Sequence, residues 1–256
     1  MKAPVSAFIR TRNEARMIGD VVKAARAVAD EVVVVDSGST DDTVAIAESA
    51  GGRVIRQVWL GNGRQKRFAE DQCKHDWLLD LDADEVVSPA LATEIAALFA
   101  GGAPRARIYR TPVAIAPPIG RPWIGFGGVV RHKLYNRLAA RAPDHEAWDQ
   151  FDLPAGEPVG ALKAPILHYA FTDAGHLIDK LNRNSTTRAE TLDPKSLPVL
   201  VLRIFFGLPF YVGKRYLFDG LIRGGVYGFA FSMMSGFGRW MRDVKMYERV
   251  MRERAQ

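Results

Sequence analysis

The hydrophobic and polar positions of the first hundred residues switch repeatedly between two periods. Short runs rich in β-branched and apolar residues, 5-VSAFIR-10, 31-EVVVVD-36, 53-RVIRQV-58 and 76-DWLLDLD-82, read as strands, the second of them apolar throughout. Between them lie stretches with helical spacing: Ile18, Val21, Val22 and Ala25; residues 41–51, closed by Gly51; residues 63–73; and residues 88–100. Strands alternating with helices predict an α/β fold, with a mostly parallel sheet covered by helices on both faces. A sheet of this kind places its binding crevice at the carboxyl ends of its strands. The polar residues directly after each run, 11–14, 36–42 and 80–85, are therefore the first candidates for chemistry.

The pattern changes after Gly101. A strand is predicted over 105–116, then a loop rich in Gly and Pro (117-PPIGRPWIGFGG-128), then strands over 129–137 and 165–171 that extend the first sheet as mixed sheet. A helix covers 173–190, and Pro194 and Pro198 mark a break. The run 197-LPVLVLRIFFGLPFYVG-213 is apolar but contains Arg203 and two prolines, and it is shorter than the roughly 20 residues of a membrane-spanning helix. Residues 214–245 then interleave aromatics and methionines with arginines, a pattern expected of helices lying in a membrane interface. A helical hairpin packed on the protein's own core and a true span are the alternatives. The chain divides on this reading into 1–100 and 101–190, two halves of one domain, and a helical region over 191–256.

Composition sharpens this picture in two places. With 48% hydrophobic and 25% charged residues among 256, the chain is globular rather than disordered. The net charge of +6 comes entirely from residues 196–256, where ten basic residues face four acidic ones. Such a tail suits an acidic partner, either nucleic acid or an anionic membrane surface. The single cysteine, Cys73, excludes an internal disulfide and any Cys-based zinc site. The first residues carry one lysine and too short an apolar stretch for a signal peptide, so the cytosolic side is the expectation.

The densest chemistry lies in 77-WLLDLDADEVV-87, where Asp80, Asp82, Asp84 and Glu85 crowd a strand end. Carboxylates this close raise one another's pKa and call for a counter-ion. A calcium loop is excluded, because it needs glycine where Glu85 stands, an acid where Leu91 stands, and a flanking helix. A phosphatase of the haloacid-dehalogenase type carries its Asp-x-Asp nearer the N-terminus. What remains is a divalent metal (Mg²⁺ or Mn²⁺) shared between Asp82, Asp84 and a phosphate-bearing substrate, with Ala83 turned away. The competing reading is a solvated turn whose acids and Ser88 cap the next helix.

In 36-DSGSTDDT-43, Asp36 at the strand tip suits a ribose or base N–H, while Ser39 and Thr40 suit helix N-caps. A capped turn and nothing more is the alternative. Gly-x-Gly opens the helix at 61-GNGRQK-66 without a third glycine, leaving Arg64 and Lys66 as candidates for reaching phosphate at that helix start. His145 lies in 143-PDHEAW-148, where Asp144 or Glu146 could act as a general base. His168 alternates with apolar neighbours, the pattern of a structural strand residue. No zinc spacing and no Ser-His-Asp arrangement is present.

Taken together, 11-TRNEA-15, 32-VVVVDSGSTDDT-43, 64-RQKRFA-69, 77-WLLDLDADEVVSP-89, 144-DHE-146 and 167-LHY-169 resemble family 2 glycosyltransferases of the GT-A fold. The likeness is to the lipopolysaccharide core branch, which includes β-1,4-glucosyltransferases, and a looser match runs through 176-HLIDKLNRNS-185. The resemblance implies a Rossmann-like sheet whose residues 1–100 bind the nucleotide sugar and whose residues 101–190 bind the acceptor. It implies nucleotide contacts from Thr11, Arg12, Asn13, Glu14, Asp36, Lys66 and Asp82, and a divalent metal on Asp82 and Asp84, with His168 nearby. It implies an inverting transfer in which Glu146, with Asp144 second, deprotonates the acceptor; the branch has Val-His-Glu where this chain has Asp144-His145-Glu146. The donor is then a UDP-linked hexose and the acceptor a lipid-linked saccharide. The basic-aromatic tail serves as a peripheral anchor on the cytoplasmic face of the inner membrane, and no nucleic-acid partner is expected. Two rivals stand beside this: a metal-dependent phosphatase or nucleotidyltransferase, which would want glycine in 10-RTRNEAR-16, and a non-enzymatic adaptor, which leaves the acidic cluster unexplained.

Overall fold

The computed structural model describes residues 3–255. The first half alternates as its hydrophobic periods predict: β1 (Ala3–Thr11), α1 (Ile18–Val28), β2 (Ala29–Asp36), α2 (Thr43–Ser49), β3 (Arg53–Arg56), α3 (Asn62–Asp71), β4 (Trp77–Asp82), β5 (Glu85–Val87) and α4 (Pro89–Phe99). The chain continues through β6 (Ile108–Ile115), β7 (Val129–Asn136), β8 (Val159–Ala161), β9 (Ile166–His168), α5 (Ala174–Thr191), α6 (Leu197–Gly213) and α7 (Gly225–Ala255). Residues Lys214–Phe218 form a π-helical turn and Leu221–Gly224 a 3-10 turn.

The strands build one sheet in the order β3-β2-β1-β4-β7-β6-β9-β5, with β8 added beside β6. The first four run parallel, β7 runs antiparallel to β4, and β6 runs antiparallel to β7. Side chains alternate between the two faces with period two. Val5, Ala7, Ile9, Val32, Val34, Leu79 and Leu81 enter a core shared with Ile18, Val21 and Val22 of α1 and Leu91 and Ile95 of α4. Phe8, Val33, Val35 and Leu78 enter a second core with Ala69 of α3, Ile108 and Tyr135. A parallel sheet whose strands are apolar on both faces has to be covered on both, and it is. This is the GT-A architecture.

Two short strands escape the sequence pattern. β5 falls where a turn and helix cap are read, and β8 falls within an irregular stretch. β5 pairs antiparallel with β9 in the register Glu85↔His168, a partnership some eighty residues distant that no local periodicity encodes. Ser39 and Thr40 do not cap α2, since Asp42 holds that position without a side-chain bond. The loop instead folds back toward the start of α1. Ser88, by contrast, caps α4 by accepting from the Leu91 amide.

Two compact units emerge, one of residues 1–114 and 129–169, the other of 115–128 and 170–256. These divisions differ from the boundaries read at 100 and 190. The β6–β7 pair continues the sheet of the first unit, and Trp123 of the Gly/Pro loop joins Phe171, Leu177, Leu221 and Phe231 in the core of the second unit. In that unit the apolar run does not stop at Gly213. With the π-helical turn it forms a continuous helix Leu197–Phe218 of 22 residues, long and apolar enough by length and composition to cross a membrane. The shortness inferred from sequence is thus corrected. One side of this helix packs on α7, where Trp240 donates to the Ile204 carbonyl at 2.9 Å and Tyr211 bonds the buried Asp243.

Candidate active site at the strand ends

The sheet register brings three strand tips together: Thr11 faces Asp36 across β1–β2, and Arg10 faces Asp82 across β1–β4. The loops that follow are locked to one another. Asn13, in the left-handed region at φ 54°, accepts from the Thr40 amide at 2.8 Å, and its own amide donates to Ser39 Oγ at 2.9 Å. The Glu14 amide donates to Thr43 Oγ1 at 2.8 Å, and the Ala15 amide to Asp41 at 3.2 Å. Asparagine tolerates the left-handed backbone better than most residues, so Asn13 supplies both the turn and the staple.

The Asp36 carboxylate is buried and accepts from the Gly38 and Ser39 amides at 3.1 Å. It braces its own loop and is turned away from open solvent. Thr11 is also buried, and its hydroxyl has no hydrogen-bond partner among the described residues. Arg12 is exposed at the loop surface.

Beneath Asp82 lies a buried ion network that sequence reasoning missed in part. Arg10 binds Asp82 at 2.6 Å and approaches Asp149 at 3.4 Å. Lys66 binds Asp80 at 2.7 Å and Asp149 at 3.0 Å. Lys133 binds Glu85 at 2.6 Å and lies 3.9 Å from Asp82 and 4.0 Å from Asp80. Three cations thus face four carboxylates, leaving one negative charge in excess toward the strand ends. Burial opposes ionisation of Asp82, yet Arg10, Lys133 and Lys66 outweigh it and hold its pKa well below the carboxylate range. Burial raises the Glu85 pKa despite the pull of Lys133. Lys133 is itself held in the charged form, since Asp80, Glu85 and Asp82 overcome the cost of burying it.

The cluster therefore divides. Asp80 and Glu85 face inward, each on a buried lysine, and Ala83 turns into the core. Asp82 remains 39% exposed. Asp84 Oδ2 lies 3.2 Å from His168 Nε2, and the Asp84 carbonyl accepts from the Tyr169 amide at 2.8 Å. Burial opposes a charged His168, but the hydrogen bond and charge of Asp84, with Glu85 and Asp82 behind it, raise its pKa. His168, which its local pattern makes a structural strand residue and the family resemblance sets near the metal, reaches Asp84 through the β5–β9 pairing.

Lys66 is enclosed by Asp80 and Asp149, so it does not stand open at the start of α3 as the sequence suggested. That helix start is itself covered. The Asn62 amide donates to the Glu146 carbonyl at 2.5 Å, and the Gly63 and Arg64 amides donate to the His145 carbonyl at 3.0 and 3.4 Å. A Cβ on Gly63 would stand 2.4 Å from the carbonyls of Pro143 and Trp148, so only glycine admits this approach. The contact lays residues 143–148 along α3, with Asp144 bound to Arg64 at 2.8 Å and the Glu146 side chain in solvent.

These residues fit a divalent cation of the magnesium kind. Among the described residues no three His, Cys, Asp or Glu side chains converge into a ready cage. Asp82, Asp84 and His168 offer an incomplete ligand set on a site with excess negative charge. Mg²⁺ and Mn²⁺ commonly bind in this way, through one or two carboxylates with phosphate oxygens and water completing the shell.

The sequence profile of Glycosyl transferase family 2 matches residues 6–142, more than half of the chain. The chain belongs to that family. A glycosyltransferase of Rickettsia felis is 32% identical over 98% of this chain and 92% of its own length. The lipopolysaccharide core biosynthesis glycosyltransferase LpsC of Rhizobium meliloti is 31% identical over 97% of this chain and 93% of its own. Among solved structures, glucosyl-3-phosphoglycerate synthase of Mycobacterium tuberculosis, crystallised with Mn²⁺, UDP and glucosyl-3-phosphoglycerate, is 22% identical with a TM-score of 0.34. That overlap takes in 45% of this chain and 44% of the synthase, so the chain spans less than half of that protein.

Replacing Lys133 with Met leaves Glu85 and Asp80 buried beside a lost charge and is expected to destabilise this glycosyltransferase by about 3–5 kcal/mol, with Lys133→Arg costing clearly less. Urea unfolding of the three proteins measures this. A second expectation concerns His168. Its folded pKa is raised, so its contribution is complete below the ordinary value of about 6.5 and is lost as pH rises through the folded value. Thermal melts of metal-free protein should fall across that window, and His168→Gln should flatten that part of the profile.

Proposed function

We propose that this family 2 member is a metal-dependent, inverting hexosyltransferase that moves a sugar from a UDP-linked donor to a lipid-linked saccharide of the lipopolysaccharide core type. The observation that carries the proposal is a pair of acids at the carboxyl end of the sheet beside the interlocked 11–15 and 36–43 loops: Asp82, held by Arg10 at the end of β4, and Asp84, paired with His168. The similarity to LpsC over nearly the whole chain supports the acceptor class.

In this reading the loop from Thr11 to Glu14 and the 36–43 loop hold the nucleoside, with the Thr11 hydroxyl as a free bonding group. Asp82 and Asp84 hold the cation, with His168 beside them. When bound, a divalent cation stabilises the charge that grows on the departing diphosphate. Arg10 keeps Asp82 ionised and aimed, while Lys133 and Lys66 pair with Glu85 and Asp80 beneath it. Glu146, on a loop latched to α3 and without an ion pair among the described residues, takes the proton from the acceptor hydroxyl as it attacks the anomeric carbon. Asp144 is the weaker candidate, since Arg64 neutralises it.

The second unit supports a peripheral seat on the cytoplasmic face of the inner membrane. Leu202, Phe205, Phe206 and Phe210 form an exposed stripe along one face of α6. Arg203 lies mid-helix with its guanidinium 3.9 Å from the buried Asp243. A helix with one apolar face and an arginine tied to its neighbour suits the interface plane better than a span.

Calorimetric titration with UDP is expected to show binding that needs Mn²⁺ and is lost in Asp84→Asn with the fold intact. Metal-independent binding would sink the proposal. Glu146→Gln is expected to lower turnover by about 100-fold or more while UDP affinity holds. If Asp144→Asn does so instead, the base is Asp144.

A further inference from the structure

Between α5 and α7, wholly within the second unit, lies a cleft of about 300 Å³. Each helix contributes one stripe at spacing i, i+3, i+4, i+7. Leu181, Asn184, Ser185 and Arg188 come from α5; Ser235, Gly238, Arg239 and Arg242 come from α7. Gly238 sets the depth, since a Cβ there would stand 3.0 Å from the Leu181 side chain. Arg215, from the π-helical turn, adds a fourth arginine to the wall.

The four arginines are of two kinds. Arg215 binds Asp219 at 2.8 Å and its guanidinium lies 5.7 Å from the centre of the Phe231 ring. Arg242 binds the fully buried Asp243 at 2.7 Å. Both are partly buried and fixed from behind by a carboxylate. Arg188 and Arg239 are exposed and have no carboxylate or hydrogen-bond partner for their guanidinium groups among the described residues. No acid lines the cleft. The neighbouring cleft of about 380 Å³ shows the contrast: Glu190, Glu248 and Glu253 balance Lys245, Arg249 and Arg252 there, leaving no call for an anion.

A concave wall of four forked donors, two of them matched by carboxylates and two unmatched, with the Ser235 hydroxyl and the Asn184 amide between them, is complementary to a tetrahedral dianion or a phosphodiester. We propose that this cleft binds a phosphoryl group, with Arg188 and Arg239 gripping its oxygens and Arg215 and Arg242 held ready by Asp219 and Asp243. The same unit exposes the apolar stripe of α6, so the phosphoryl group is one carried by a lipid headgroup or by the saccharide of a lipid-linked acceptor. The inference deepens the proposed lipid-borne acceptor and rests on that reading for its purpose.

The test uses the full chain and a double variant, Arg188→Ser with Arg239→Ser, which changes two exposed positions. A second double variant, Arg252→Ser with Arg254→Ser, removes the same charge from the exposed end of α7. Flotation is measured with vesicles of equimolar phosphatidylcholine and phosphatidylglycerol, and calorimetry with inorganic phosphate. If the headgroup is the ligand, the first variant weakens vesicle binding about tenfold more than the second, and inorganic phosphate competes with the vesicles. If the first variant loses inorganic phosphate but not vesicles, the site holds and the phosphoryl group belongs to a saccharide. Equal losses in both variants, or no loss in either, overturn the proposal. Mn²⁺-dependent UDP binding, measured on the same proteins, is expected to stay unchanged. A wild-type protein that fails to bind UDP would strike the transferase reading while leaving the cleft intact.

Discussion

Arg10, Lys66 and Lys133 sit out of water at the point where β1, α3, β4 and β7 meet, and each is held only because carboxylates surround it. A buried ammonium without a partner costs several kcal/mol, so the positions of Asp80, Glu85 and Asp149 are as constrained as those of the cations they neutralise. Asp80 and Glu85 are shut away from solvent, whereas Asp82 and, somewhat less, Asp149 reach it. The network therefore acts as a plinth. It presents a carboxylate that stays ionised and fixed in direction, and it leaves a local excess of negative charge where a divalent cation would enter.

The same economy of partners shapes the loops around it. Amide groups at the start of α3 that could have bound a phosphate are taken by carbonyls of residues 145 and 146. The helix start thus becomes a latch for the 143–148 loop. Asp36, read from sequence as a ligand for the nucleoside, braces the loop that Asn13 then pins to the first strand's exit. The rigidity of both loops comes from backbone amides finding side-chain acceptors, and a rigid rim is what a transfer reaction requires for positioning.

In the second unit, charge and apolar surface occupy separate faces. The apolar stripe of α6 looks outward, and the arginines divide between ion pairs with Asp219 and Asp243 and the open cleft beside α5. The excess of six positive charges in residues 196–256 is therefore not spread evenly over a surface. Part of it is neutralised internally, and part is concentrated where a phosphoryl group can reach it.

The alternation of β1 to α4, the burial of 32-VVVVD-36 and the place of Asp82 and Asp84 at a strand end were legible in the amino-acid sequence, because they rest on side-chain periods of two and 3.6 that any sheet and helix impose. The resemblance of those residues to family 2 glycosyltransferases was legible for the same reason. The role of Lys133 was not. Nothing in 129-VVRHKLYN-136 says that its lysine is buried until β7 is seen inserted between β4 and β6, with both faces covered over Lys133–Tyr135. Nor could local pattern show His168 against Asp84 or Asp149 against Lys66, since these meetings depend on pairings across some eighty residues whose energy lies in register and not in composition. The sequence by itself determined which residues carry the charge. Tertiary structure decided which of them face one another, because burial leaves a charge stable only where the fold delivers its partner.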